Sequence, residues 1–108
     1  MLDVKGLLEQ TGLKVGEVAF LKPPALPYII ILEDKEELGA DQLNNIIKRD
    51  INIELYSEKI NKPKEEEIES LLKTKSIKYK SERVYIDSQK IFETIYTFSI
   101  YEKERGVY

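Results

Sequence analysis

The sequence predicts a single α+β domain, an antiparallel or mixed sheet of four to five strands packed with two helices. Three observations predict it. Apolar residues recur at helical spacing in two segments, at Val4, Leu7 and Leu8 and again at Ile68, Leu71 and Leu72. Between and after them, apolar residues cluster or alternate at strand spacing around positions 29–32, 51–55 and 92–100. The last two strand segments are separated by Asp87-Ser88-Gln89-Lys90, a four-residue turn typical of a hairpin. At 108 residues the chain has the length of one domain with one core, spanning 1–108.

Residues 2–11 read as a short amphipathic helix in which Val4, Leu7, Leu8 and Thr11 share a face, and Gly12 follows as its stop. Residues 16–21 form a short strand with Val18 and Phe20 on one side. Pro23, Pro24 and Pro27 then lack the amide donors a ladder needs, so residues 22–27 are an extended crossing segment. The run Tyr28-Ile29-Ile30-Ile31-Leu32 has no alternation, which predicts a strand covered on both faces. Glu33-Asp34-Lys35-Glu36-Glu37 turns the chain into solvent and leads into a long polar loop at 39–49. From 50 to 57 the pattern alternates strictly: Ile51, Ile53 and Leu55 face one way, and Asn52, Glu54 and Tyr56 face solvent or an interface.

Pro63 suits a first helical turn. Glu65, Glu66, Glu67 and Glu69 crowd the positive end of the helix dipole, and Lys73 and Lys75 the negative end. Residues 77–86 and 91–101 make the closing hairpin, with Phe92, Thr94, Tyr96, Phe98 and Ile100 on one face. The charged segment 102–108 reads as a frayed tail.

Composition narrows the chemistry. With no His and no Cys, Ser-His-Asp and Cys-His nucleophile systems, zinc fingers, iron–sulfur clusters and disulfides are all excluded. No apolar run approaches the ~20 residues that cross a bilayer, and Met1-Leu2-Asp3-Val4-Lys5 does not read as a secretory signal. The acidic cluster at 65–69 reads as a solvated helix start. Glu33-Asp34-Lys35 has the acidic-x-Lys form of half a metal-dependent nuclease site. Ser57-Glu58-Lys59 and Tyr101-Glu102-Lys103 repeat the form at unrelated places, so it is what a one-third-charged chain contains by chance. The net charge of −3 opposes nucleic-acid recognition, and Lys73, Lys75, Lys78 and Lys80 read as a solvated basic stretch. Neither a catalytic, a cofactor nor a metal site is expected. Tyr56, Tyr79, Tyr85, Tyr96 and Tyr101 either roof the core or line an interface.

The order and spacing of several short motifs resemble the tail-completion (tail terminator, head–tail joining) proteins of long-tailed bacteriophages and prophages, chiefly those of Gram-positive hosts. The matching pieces are Gly12-Leu13-Lys14-Val15, Ala19-Phe20, Leu26-Pro27-Tyr28, Gly39-Ala40-Asp41 and Ile53-Glu54-Leu55-Tyr56. They continue with Glu66, Ile68-Glu69 and Leu72, then Tyr79, Glu82, Tyr85-Ile86 and Ser88, then Thr94 and Tyr96, over residues 12–102. Gln89, where the family carries an acidic residue, and the segment 57–61 depart from the pattern. The resemblance implies a non-enzymatic subunit, made in the bacterial cytoplasm and assembled into the virion tail. There it would close into a ring, a hexamer, that caps the head-proximal end of the tail tube and meets the head's connector protein. On this view the partners are other copies of the chain, tail-tube protein and connector protein, with no membrane and no direct nucleic-acid contact. The loop at 39–49 becomes the docking or inter-subunit arm, and Asp41, Asn44, Asn45, Lys48, Arg49 and Tyr56 become the interface residues. The alternative is a small adaptor or regulator that binds a protein through its tyrosine-bearing sheet face.

Overall fold

Asp3 starts the first helix: its carboxylate accepts the Gly6 amide at 2.9 Å and caps α1 (Val4–Glu9). The computed structural model describes residues 1–40 and 44–105. α1 ends sooner than its apolar pattern: the amides of Gln10, Thr11 and Gly12 reach back three residues to Leu7, Leu8 and Glu9 and tighten the last turn, and the Thr11 hydroxyl adds a bond to the Leu8 carbonyl at 2.7 Å. Gly12 then takes the left-handed conformation at φ +81°, the role its position predicts. Val4, Leu7, Leu8 and Thr11 are all buried.

β1 (Lys14–Glu17) is also shorter than expected, since Val18 breaks it at φ +69°. Its amide still reaches the Ile31 carbonyl at 2.9 Å, which holds the bend against the sheet. The proline-rich segment then crosses back to lay β2 (Tyr28–Ala40) parallel to β1, with Val15 opposite Ile29.

The largest departure from expectation follows. Residues 33–37, though 34–37 are exposed, do not leave the sheet, and residues 39–40 and 44–49 of the expected loop are strand. β2 continues to Ala40 and pairs antiparallel with β3 (Asn44–Ser57) along the whole length, with one irregularity between Glu37 and Gly39. Polar residues such as these have weak strand preference of their own, and the cross-strand ladder overrides it. The run 28–32 is covered on one face only: Ile29 and Ile31 are buried, whereas Ile30 and Leu32 are half-buried on the other face.

α2 (Lys62–Thr74) begins where Pro63 places it, capped by Asn61, and buries Ile68 and Leu72. β4 (Lys80–Ile86) and β5 (Ile91–Arg105) form the expected hairpin, with Ile86 opposite Ile91. β5 outlasts it. Residues 102–105, expected to fray, pair with the start of β3, Glu102 opposite Ile47.

Among the described residues the result is one mixed five-stranded sheet in the order β1-β2-β3-β5-β4. β4 runs parallel to β3 with β5 between them, so α2 is the crossover that carries the chain over the sheet. Both helices lie on the same face. The core beneath them is built from Leu8, Val15, Ile29, Ile31, Ile51, Ile53, Leu55, Ile68, Leu72, Tyr96 and Phe98. Among the described residues no helix is long and apolar enough to cross a membrane.

Two substitutions probe this packing. Leu72→Ala, at a fully buried position, is expected to lower unfolding free energy by about 2–5 kcal/mol in a denaturant titration. Val18→Gly removes a β-branched residue from a left-handed, exposed position and should raise it by about 1 kcal/mol.

Candidate protein-interaction face

The two faces of the sheet treat charge in opposite ways. On the helix-covered face, alternation in β3 turns Arg49 inward, where it is 4% exposed. Its Nε and Nη2 donate to the two carboxylate oxygens of Glu33 on β2 at 2.8 and 2.7 Å. Nη1 donates to Glu102 on β5 and to the Leu2 carbonyl, each at 2.8 Å. The Leu2 amide returns to the same Glu102 oxygen at 3.1 Å. One guanidinium therefore ties three strands and the chain start together. The bond to Arg49 holds the Glu33 carboxyl below its ordinary range against the opposing effect of burial. For Glu102 burial acts upward, and the Leu2 amide and Arg49 outweigh it.

A second buried network fastens α2. The Glu65 carboxylate accepts from Arg83 on β4 at 2.6 and 3.0 Å and from the Thr94 hydroxyl on β5 at 2.7 Å. Of the expected solvated helix start, Glu66 and Glu67 are exposed, but Glu65 is a structural anchor, with its pKa lowered chiefly by Arg83. Tyr96, fully buried, donates to Glu69 at 2.9 Å. These polar groups are satisfied inside the fold.

Among the described residues the opposite face carries no helix. Across it the ring of Phe20 packs edge-on to Tyr28, with centroids 5.5 Å apart, and Tyr28 stacks on Tyr56 at 5.3 Å. Phe20 reaches this row because Gly16 beneath it has no side chain: a Cβ there would stand 2.8 Å from the ring. The Tyr56 hydroxyl lies 2.8 Å from Glu93 and 3.1 Å from Glu54. It has one proton to give to two carboxylates. Burial, reinforced by the charge of Glu93, raises the pKa of Glu54. Burial and the two carboxylates raise that of Tyr56. Among the described residues no ion pair relieves either glutamate. Ile30, Leu32, Val84 and Ile95 are half-buried around them.

The expected interface residues do not gather at one place. Arg49 is enclosed in its own fold. Lys48 and Tyr56 share the open face but stand eight residues apart on β3, about 26 Å. Lys48 pairs with Asp50 at 3.7 Å. Asn44 and Asn45 lie in the ladder of β3, opposite Arg105 and Glu104. Asp41 lies outside the described residues. Glu33, the first residue of the acidic-x-Lys triplet, is bound to Arg49. The exposed positions of Lys73, Lys75, Lys78 and Lys80 agree with a solvated stretch.

Sequence reasoning placed Glu54 and Tyr56 on one outward face but missed Phe20, Tyr28 and Glu93. The pairing of Tyr56 with Glu93 and Tyr28 depends on register, which no local pattern encodes. No family model and no curated protein matches the chain.

Removing Arg49 (Arg49→Met) leaves two enclosed carboxylates without their cation and should cost about 3–5 kcal/mol. Hydrogen exchange should accelerate first in residues 33–40 and 98–103. The pH dependence has a definite sign. Glu33, Glu65 and Glu102 have lowered values, so their stabilisation is present above the ordinary glutamate range and is lost as pH falls below it. Glu54, with a raised value, destabilises the fold as pH rises through and above that range. Glu65→Gln should therefore flatten the acid limb of a stability–pH profile, and Glu54→Gln should raise stability at neutral pH.

Proposed function

We propose that the chain is a non-enzymatic tail-completion protein of a bacteriophage or prophage. It would form a ring on the head-proximal end of the tail tube and present a surface to the head connector. The motif order set out above supports the family, and one structural observation supports assembly. Beyond the last β1 pairing at Ile31 and the last β4 pairing at Thr97, strands β2, β3 and β5 continue alone as a three-stranded arm. The arm contributes to a long axis of 51 Å against 29 and 22 Å for the other two. Among the described residues it has an unpaired edge on each side, and it exposes Leu38, Ile46 and Tyr101, the last at 62%. Unpaired strand edges with apolar side chains are what association between copies covers. In this reading the arm takes the inter-subunit role expected of the segment 39–49, and the protein is made in the bacterial cytoplasm and ends in the virion tail.

A second reading, a small adaptor that binds one protein partner, is favoured by the aromatic row and glutamate pair on the open face.

Light scattering across a concentration series, with and without tail-tube protein, separates the two. The tail-completion reading expects a discrete ring-sized species once tube protein is present. It expects that species to be lost in Ile46→Asp/Tyr101→Ser, with the unfolding midpoint little changed. A chain that stays monomeric and binds no tube protein overturns it in favour of the adaptor.

A further inference from the structure

We infer that the open face of the sheet docks a segment of another protein that presents an arginine or lysine among apolar side chains, the cation seating between Glu54 and Glu93 beside the ring of Tyr56. The inference is independent of ring assembly, since it uses the sheet face and not the arm.

Charge chooses the occupant. Glu54 and Glu93 converge on one phenol, at 3.1 and 2.8 Å, and that phenol supplies a single proton. Two like charges are thereby held near one another on a partly desolvated surface. The chain has 17 Lys and Arg residues, yet among the described residues none pairs with either glutamate. The helix-covered face treats carboxylates otherwise: Glu33, Glu65 and Glu102 each have an arginine. An incoming guanidinium or ammonium would complete the same arrangement on the open face, with charge-assisted bonds to the two carboxylates and a cation–π contact to Tyr56.

The surroundings indicate a protein segment. Tyr28, Ile30, Ile95 and Val84 lie half-buried around the glutamates, so a partner's apolar side chains can cover them and exclude water from the ion pair. That is the arrangement in which a charged contact at an interface counts most. A phosphate-bearing partner would meet two carboxylates and a net charge of −3. A bare metal ion would find two carboxylates where it prefers more ligands, and among the described residues no group of three or more metal-ligating side chains exists. Among the described side chains, a second copy also offers no free guanidinium. Arg49 is enclosed by Glu33 and Glu102, and Arg83 is held by Glu65 at 2.6 Å.

The test uses a pair of short, blocked valine/threonine peptides that differ only at the central residue, arginine in one and citrulline in the other. Each is titrated into the full chain while the side-chain carboxyl carbons and the tyrosine rings are followed by NMR. The expected result is binding about tenfold tighter for the arginine peptide, with shifts concentrated at Glu54, Glu93 and Tyr56. The preference should disappear in Glu54→Gln/Glu93→Gln, which removes repulsion and leaves the core untouched. Equal affinity for the two peptides, binding of neither, or shifts centred elsewhere would each overturn the inference. So would self-association through this face with no preference for arginine.

Discussion

A single buried guanidinium sets the shape of this molecule. Arg49 points inward because it is in phase with Ile47, Ile51, Ile53 and Leu55 on β3, and a charge in that position is tolerable only if it is fully paired. Glu33 arrives from β2, Glu102 from β5, and the Leu2 carbonyl from the chain start. The stretch 33–40 is mostly polar and has little apolar reason to join the sheet, whereas Phe98, Ile100 and Leu2 also pack on the core. Pairing with Arg49 helps hold β2 and β5 on either side of β3 and the segment ahead of α1 beside them, together with that packing of Phe98, Ile100 and Leu2.

The same logic separates the two faces. Under the helices, carboxylates are matched with arginines and hydroxyls, and both Glu65 and Arg49 tie elements that are distant in sequence. On the open face the polar groups fall into two zones. Toward the arm they pair among themselves, as Thr97 does with Asn52 and Ser99 with Asp50. Toward the other end the aromatic row meets Glu54 and Glu93, where apolar surface and unrelieved charge coincide. The fold thus satisfies its buried charges on one side and leaves two converging carboxylates on the other.

The proposed assembly and docking would draw on different parts of the sheet. The arm offers unpaired strand edges and exposed Leu38, Ile46 and Tyr101, while the open face offers shape and charge. A ring-forming subunit has use for both, since neighbouring copies and the structures above and below the ring meet it from different directions. The adaptor reading needs only the face.

What the sequence by itself determined is whatever depends on neighbours in the chain. The helical spacing of Leu7, Leu8, Ile68 and Leu72, the place of Pro63 in a first helical turn, the stop at Gly12 and the turn at 87–90 are local devices, and the structure uses them as read. The alternation at 51–56 also separated core from outward residues correctly, because a pleated strand has only two faces. The tertiary structure alone decided the rest. The extent of β2, β3 and β5 was illegible because charged residues become strand only when a partner ladder and an ion pair hold them there. The burial of Glu65 was hidden because its partners, Arg83 and Thr94, are 18 and 29 residues away. The meeting of Tyr28, Tyr56, Glu54 and Glu93 was hidden for the same reason: register is a property of two strands together, and neither one carries it alone.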